Sequence, residues 1–127
     1  MDVQPECYSV DDLLVDVGRR RVSRDGREIR LGQLAFKLLV TLVQAAPGVV
    51  SVAALMKAVW PDSVVGPELV SQRVKSLRVA LHDDPKAARY VAVVRGSGYR
   101  VVAAVGPCVR EELVTAPARL RAALRWR

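Results

Sequence analysis

Between residues 67 and 81 the chain reads PELVSQRVKSLRVAL, and its apolar side chains recur with the period of an α-helix. On a helical projection, Val70, Val74, Leu77 and Leu81 fall within a stripe about 60° wide. Pro67 suits the first turn of a helix, where its missing N–H has no intrahelical partner. The pattern therefore predicts a helix over residues 67–81 that buries this stripe.

The opposite side of this predicted helix is polar and basic. Arg73 and Arg78 lie on its flanks, and the outward positions between them are Gln72, Lys75, Ser76 and Val79. Hydrogen-bonding side chains between two rows of cations fit a helix in the major groove of DNA, where the centre meets base edges and the flanks reach phosphates. A surface helix with a solvated basic face has the same composition, so this segment alone leaves both interpretations open.

A β-hairpin is predicted directly after this helix. Residues 90–94 (YVAVV) and 99–102 (YRVV) have strand composition, and Gly96-Ser97-Gly98 forms the turn between them. The turn is flanked by Arg95 and Arg100, so it can approach a phosphate backbone and place an arginine in a minor groove. Because this turn links two strands and opens no helix, it is not a nucleotide-binding loop. We call residues 90–102 the wing.

Two more helices are predicted before residue 67. Residues 34–46 are apolar except for one narrow polar stripe, which indicates a largely buried helix that ends at Pro47-Gly48. Val49-Val50 is typical of a short strand. Ser51 is a suitable N-cap for a second helix over residues 52–59, and residues 61–66 form the loop to the third.

The N-terminal region has the pattern of a small antiparallel sheet. Short strand-like runs occupy residues 13–16, 21–23 and 28–31, and Asp25-Gly26 is a strong hairpin signal. Arginines stand at positions 19, 20, 21, 24, 27 and 30. A nucleic-acid contact is one interpretation of this cluster, and a solvated sheet face is the one we prefer.

Composition restricts the class of protein. The chain has 127 residues, 51% of them hydrophobic and 26% charged, which is enough for one domain with a modest core. Its 20 Lys and Arg residues against 13 Asp and Glu give a formal net charge of +7. Such a basic excess suits a polyanionic partner, either nucleic acid or an anionic membrane surface.

Cysteines and hydropathy indicate the compartment. Cys7 and Cys108 are the only cysteines. Their placement fits neither a disulfide framework nor zinc spacing, so we expect two unpaired thiols in a reducing cytoplasm. No run approaches the about 18 apolar residues of a spanning helix, and the acidic N-terminus lacks a signal-peptide pattern. We therefore expect a cytoplasmic location.

No catalytic set can be assembled from the sequence. His82 is the only histidine, and Asp83-Asp84 is an adjacent acidic pair of the kind that usually caps a helix end or is solvated. We expect no enzyme activity, no metal and no cofactor.

The segments described so far resemble a known family. FKLL (residues 36–39), VVS (49–51), residues 55–60, VKSLRVAL (74–81) and VRGSGYR (94–100) are similar to the OmpR/PhoB-type winged-helix DNA-binding domain of bacterial transcriptional regulators. The resemblance covers about residues 13–102. It implies an α+β winged helix-turn-helix fold with an N-terminal antiparallel four-stranded sheet, three helices and a C-terminal hairpin. We expect the domain to span residues 8–104, with residues 105–127 as a basic tail or linker.

The resemblance also implies roles for individual residues. The base-reading positions of the family fall on Gln72 and Ser76. Phosphate contacts fall on Arg73, Lys75, Arg78 and Trp60. The wing positions at the minor groove are Arg95, Gly96, Ser97, Gly98 and Arg100. The loop that touches RNA polymerase in the family corresponds to Pro61, Asp62, Ser63, Val64 and Val65.

Three departures from the family qualify this assignment. Relatives often carry arginine where this chain has Ser76, so a strong guanine contact is missing, whereas Gln72 suits a bidentate contact to adenine. Gly32 and Ala35 replace the capping box that often opens the first helix. His82 stands where a C-capping glycine is common.

The expected partner is double-stranded DNA with tandem or repeated half-sites, bound by a homodimer that assembles on DNA, with RNA polymerase as a further partner. The family also contains membrane-anchored, CadC-like regulators, in which a spanning helix follows the domain. The tail has a basic amphipathic pattern ending in Trp126-Arg127, which fits such a linker, a flexible tail or a helix packed on the domain. Two other functions stay open: a winged helix used for protein contacts, and a membrane-surface module acting through the tail.

Overall fold

The computed structural model describes residues 6–108. Within them the chain forms two compact units. One unit, the strand unit, consists of residues 6–30 and 104–108, and the other, the helix–wing unit, of residues 31–103. The predicted features of residues 109–127 lie outside the described residues.

The strand unit is an antiparallel sheet. Its strands are β1 (Cys7–Val10), β2 (Leu13–Asp16), β3 (Arg21–Arg24), β4 (Arg27–Ile29) and β7 (Val105–Pro107), in the order β4-β3-β2-β1-β7. The hairpin predicted at Asp25-Gly26 joins β3 to β4, and both turn residues have positive φ, +54° and +80°. This agrees with a turn that favours glycine.

The fifth strand was not predicted. β7 runs antiparallel to β1, with Tyr8 opposite Pro107 and Val10 opposite Val105. Its sequence, Val-Gly-Pro, has no alternation of apolar and polar residues, and its partner lies almost a hundred positions away. Since only this distant pairing defines the strand, no local pattern could reveal it.

Side chains on one face of the sheet, including Val10, Leu13, Val15 and Val22, are buried, as strand alternation requires.

The charges of the strand unit are balanced. Between residues 6 and 30 there are six arginines and six acidic residues. One pair is an ion pair between Arg24 Nε and Asp12 Oδ2 at 3.0 Å. This balance favours a solvated face over a polyanion-binding one.

The expectation of two unpaired thiols is wrong for this structure. Cys7 and Cys108 form a disulfide, with their Cα atoms 5.5 Å apart. The two residues continue the β1–β7 pairing, and the Cys108 N–H donates to the Cys7 carbonyl at 3.2 Å. The pairing of distant strands brings the cysteines together, and spacing along the chain does not show it.

The helix–wing unit contains α1 (Gln33–Ala45), α2 (Val52–Val59), α3 (Pro67–Leu81) and the strands β5 (Val91–Val94) and β6 (Gly98–Val101). The predicted bounds of α2 and α3 are confirmed, and α1 is shifted by one residue at each end. α1 packs against α2, α3 and β6, so it lies at the centre of this unit. Its buried side chains include Leu38, Leu39 and Leu42.

Capping residues explain where the helices begin. Ser51 Oγ accepts a hydrogen bond from the Ala54 N–H at 3.1 Å, the N-cap predicted for α2. Pro67 occupies the first turn of α3. Gly32 precedes α1 and provides no side-chain cap, as expected from the missing capping box.

The predicted short strand at Val49-Val50 is a single bridge. Val50 pairs with Tyr99 of β6 through two hydrogen bonds, 2.8 Å from its N–H and 3.0 Å to its carbonyl. This bridge ties the segment between α1 and α2 to the wing.

Candidate nucleic-acid interface

The two faces of α3 are as predicted. Val70, Val74, Leu77 and Leu81 are buried. The exposed positions form one continuous stripe along the helix: Glu68, Ser71, Gln72, Lys75, Ser76 and Val79. Gln72 and Ser76 are therefore accessible to a macromolecule that lies along this side of α3.

The hydroxyl of Ser76 is oriented by the helix itself. Its Oγ donates to the carbonyl oxygen of Gln72 at 3.1 Å. Because the hydroxyl proton is engaged, Ser76 presents oxygen lone pairs outward and acts toward solvent as a hydrogen-bond acceptor.

Arg73 and Arg78 are half-buried on the flanks of α3, where they were predicted. Arg78 donates from Nε and Nη2 to the carbonyl oxygen of Val91 in β5, at 3.4 and 3.1 Å. The Nε of Arg73 is buried without a hydrogen-bond partner among the described residues. The phosphate contacts predicted for both residues must therefore use the outer ends of their guanidinium groups.

The wing has an exposed tip. Arg95, Gly96 and Ser97 are exposed, and the Ser97 N–H donates to the Val94 carbonyl at 2.9 Å to close the turn. Gly96 has a φ of +73° with open space around it. Arg100 is half-buried, so among the wing residues Arg95 is the cation most available to a ligand.

Gly98 has a different role from Gly96. It is buried, its φ is +148°, and a Cβ on this residue would overlap the carbonyl oxygen of Val50. The wing is thus fixed next to its tip by a close approach of two backbones that only glycine allows.

Sequence reasoning missed the part played by Asp83. This residue is 7% exposed, and its carboxylate accepts the backbone N–H groups of Arg89, Tyr90 and Val91 at 2.7, 3.2 and 2.9 Å. The sequence alone predicts a cap or a solvated site for the acidic pair that follows α3. The signal that could have distinguished it is the apolar pair Tyr90-Val91 at the start of the hairpin, because buried N–H groups there need acceptors.

His82 directs the chain toward this contact. It is left-handed, with a φ of 57°, and stands where glycine commonly ends a helix. Its N–H donates to the Val79 carbonyl, and the Asp83 N–H donates to the Arg78 carbonyl at 2.8 Å. This is the hydrogen-bond pattern of a Schellman motif, and it turns Asp83 back toward β5.

The loop between α2 and α3 is open to solvent. Pro61, Asp62, Ser63 and Val64 are exposed, Val64 fully so, and Val65 is half-buried. Trp60, a predicted phosphate contact, is half-buried where α2 ends, and its N–H donates to the Met56 carbonyl at 2.9 Å.

Among the described residues, 6–108, the net positive charge lies in the helix–wing unit. Residues 31–103 contain nine Lys and Arg against four Asp and Glu, whereas the described residues of the strand unit are neutral overall. All the predicted DNA-contacting residues lie in this basic unit. Within residues 6–108, no group of His, Cys, Asp or Glu side chains is arranged to hold a metal ion, and no helix there has the length and apolarity to span a bilayer.

Comparison with known proteins agrees with this geometry. The family described as "Transcriptional regulatory protein, C terminal" matches residues 26–101. The DNA-binding response regulator MtrA of Mycolicibacterium smegmatis is 34% identical over 100 residues, which cover 78% of this chain and 44% of that protein. The chain thus spans less than half the length of this relative.

Solved structures share the fold. The DNA-binding domain of E. coli CadC superposes with a TM-score of 0.72 at 30% identity, covering 84% of this chain and 100% of that one. The Klebsiella pneumoniae RstA DNA-binding domain, solved in complex with the RstA box, has the same fold at 23% identity, with a TM-score of 0.69 and coverage of 76% and 96%. The chain therefore belongs to the transcriptional regulatory protein family and carries its OmpR/PhoB-type winged-helix DNA-binding domain.

Proposed function

We propose that this domain binds a specific duplex DNA sequence with α3 in the major groove and the wing at the adjacent minor groove. The observation that carries the proposal is the exposed stripe of α3, which combines Gln72 and Ser76 with Lys75, flanked by the half-buried Arg73 and Arg78, in a unit of net positive charge. Base edges in the major groove offer distinct donor and acceptor patterns that such side chains read.

Gln72 and Ser76 are the base-reading residues in this proposal. The Gln72 amide suits the N6 and N7 groups of adenine, a bidentate contact worth about 1–3 kcal/mol of discrimination. Since the Ser76 proton is held by the Gln72 carbonyl, the hydroxyl accepts from a base amino group of adenine or cytosine.

The remaining polar residues hold the duplex. Arg73, Lys75 and Arg78 contact phosphates beside α3, together with Trp60 at the end of α2. Arg95 enters the minor groove, where a narrow groove attracts arginine. Gly96 and Ser97, at the exposed tip, let the backbone of the wing approach, while Gly98 is buried against Val50 and Arg100 lies behind them.

The wider assembly follows from family membership. We propose tandem half-sites occupied by two copies of the chain, with residues 61–65 presented to RNA polymerase. The exposure of Pro61–Val64 supports a protein contact at this loop. The site of action is the cytoplasm, where chromosomal DNA lies, and residues beyond 108 connect to any membrane anchor of the full-length protein.

Selection of bound duplexes from a random library tests this function directly. We expect a recurring motif with half-sites about one helical turn, 10–10.5 base pairs, apart. Enrichment of no motif, or affinity for a protein without affinity for duplex DNA near physiological salt, would contradict the proposal. Binding to anionic liposomes that requires residues 109–127 would support the membrane alternative instead.

Variants then separate the roles. Arg95→Ala and Arg73→Ala should weaken binding to all duplexes. Each should also make the slope of log affinity against log salt concentration shallower by about one unit. Gln72→Ala should mainly relax sequence preference. Lys37 is an exposed cation on α1, so Lys37→Ala is the matched control. It should change neither the affinity for DNA nor the sequence preference. If Gln72→Ala loses affinity equally on every sequence, as Arg95→Ala and Arg73→Ala should, Gln72 has no base-reading role.

A further inference from the structure

Val91, the first residue of β5, is held on both of its backbone groups by side chains from the end of α3. Its N–H donates to Asp83 Oδ2 at 2.9 Å, and its carbonyl accepts from Arg78 Nε and Nη2 at 3.4 and 3.1 Å. Val91 itself is fully buried. An acid and a base five positions apart in the sequence therefore hold one residue of the wing.

Asp83 accepts three backbone hydrogen bonds here, whereas Arg78 donates two to a single carbonyl. Its two carboxylate oxygens receive three consecutive N–H groups, from residues 89, 90 and 91. Charge-assisted bonds of this kind are stronger than neutral ones, and burial strengthens them further. The start of β5 is thereby fixed to the turn that ends α3.

The direction of the wing depends on this connection. Val91 is four residues before Arg95, and β5 runs without interruption from Val91 to Val94. A rotation of β5 about its first residue would move the tip of the wing, because Arg95 lies at the far end of the strand. The Val50–Tyr99 bridge holds β6, and through the β5–β6 pairing the tip half of the wing, whereas Asp83 and Arg78 hold the start of β5, so these two anchors together set the direction of the wing.

We propose that Asp83 and Arg78 are positioning residues that set the wing at a fixed angle to α3, so that Arg95 meets the minor groove while Gln72 reads the major groove. This inference rests on the proposed function. Arg78 keeps its phosphate role, since the guanidinium group has five N–H donors and Val91 engages only part of them.

Because Asp83 is negatively charged, the proposal and simple electrostatics predict opposite changes in DNA affinity when this charge is removed. A carboxylate in a DNA-binding unit repels phosphates, so removal of its charge should tighten DNA binding if electrostatics alone acted. If the carboxylate positions the wing, its neutralisation should weaken binding instead. Asp84 provides the matched control, since it is exposed and its Oδ1 accepts one N–H, from Lys86.

The experiment compares Asp83→Asn with Asp84→Asn in the full chain, on the duplex selected by the wild type. Asp84→Asn should bind as tightly as the wild type or slightly more tightly. Asp83→Asn should bind about tenfold more weakly, because an amide nitrogen cannot accept an N–H. Circular dichroism and a thermal melt confirm that each variant is folded at the binding temperature.

The decisive readout is the cost of Arg95→Ala, meaning the fold loss of DNA affinity that this change causes, measured in the wild type and in each variant. In the wild type and in Asp84→Asn this change should weaken binding by about tenfold, as the loss of one charge-assisted contact predicts. In Asp83→Asn it should cost less than about threefold, because the wing no longer presents Arg95 to the groove. A general loss of stability would leave the cost of Arg95→Ala unchanged.

Arg78→Lys is the second variant, in case Asp83→Asn does not fold. Lysine keeps the charge for a phosphate but lacks the fork that reaches the Val91 carbonyl. It too should reduce the cost of Arg95→Ala. If that cost stays at its wild-type value in both variants, or if Asp83→Asn binds as tightly as Asp84→Asn, the inference is overturned. A wild-type chain that selects no duplex at all refutes the proposed function, a result distinct from this one.

Discussion

Replacing Gly98 by alanine should break the junction between the wing and the segment after α1. A Cβ at this position would overlap the Val50 carbonyl oxygen and come within 2.8 Å of the Val50 carbonyl carbon and 2.9 Å of the Ser51 Cα. All three atoms belong to the backbone, so no flexible side chain can move aside. The two backbones must separate or the wing must rotate.

The magnitude follows from what this separation disrupts. The two Val50–Tyr99 hydrogen bonds, at 2.8 and 3.0 Å, contribute about 0.5–1.5 kcal/mol each. A side chain at a φ of +148° adds strain of about 1–3 kcal/mol. We therefore expect Gly98→Ala to lower the free energy of unfolding by about 2–6 kcal/mol.

Gly96→Ala is the matched control. Gly96 also has a positive φ, +73°, but nothing lies within 4 Å of its added Cβ, so only backbone strain of about 1 kcal/mol applies. Urea denaturation followed by circular dichroism measures both variants. With a slope of about 1–3 kcal/mol per molar urea, the midpoint of Gly98→Ala should lie below that of Gly96→Ala by roughly 1 M. Coinciding midpoints would refute the argument from close backbone approach.

Three further changes test other parts of the fold. Ser51→Ala removes the N-cap of α2 and should cost about 1 kcal/mol in urea denaturation, while Ser51→Asp, which retains a cap, should cost little. His82→Gly relieves the left-handed residue after α3 and should raise the melting temperature by a few degrees; an unchanged or lower value would contradict this. Reduction of the Cys7–Cys108 disulfide should lower thermal stability, by about 2–4 kcal/mol, and Cys7→Ser should then be insensitive to reductant; free thiols in the unreduced protein would count against the bond.

The helices of the domain were predictable because their signals are local. Ser51 and Pro67 mark helix starts within one turn of chain, and the stripe from Val70 to Leu81 repeats at helical spacing. The family resemblance added the order of the elements. The exposed face of α3 followed from the same periodicity, so the accessibility of Gln72 and Ser76 needed no knowledge of the rest of the chain.

The features that escaped prediction are contacts between distant residues. β7 and the disulfide depend on the pairing of the first described strand with the last. The engagement of Arg78 and Asp83 with Val91 depends on how the chain returns after α3, and no spacing in the sequence encodes that direction. Whether Gln72, Ser76 and Arg95 read DNA stays a prediction, since their chemistry acts only against a partner.

The antiparallel pairing of β1 with β7 has a mechanical consequence. Cys7 and Cys108 lie side by side, so the chain enters and leaves the described region at neighbouring points. Residues 31–103 lie between them in the sequence, within the loop that the disulfide closes. A pull applied across these two points is borne by the strand pair and its sulfur bond. With that bond closed, tension from segments attached at either end bypasses the helix–wing unit and leaves α3 unloaded.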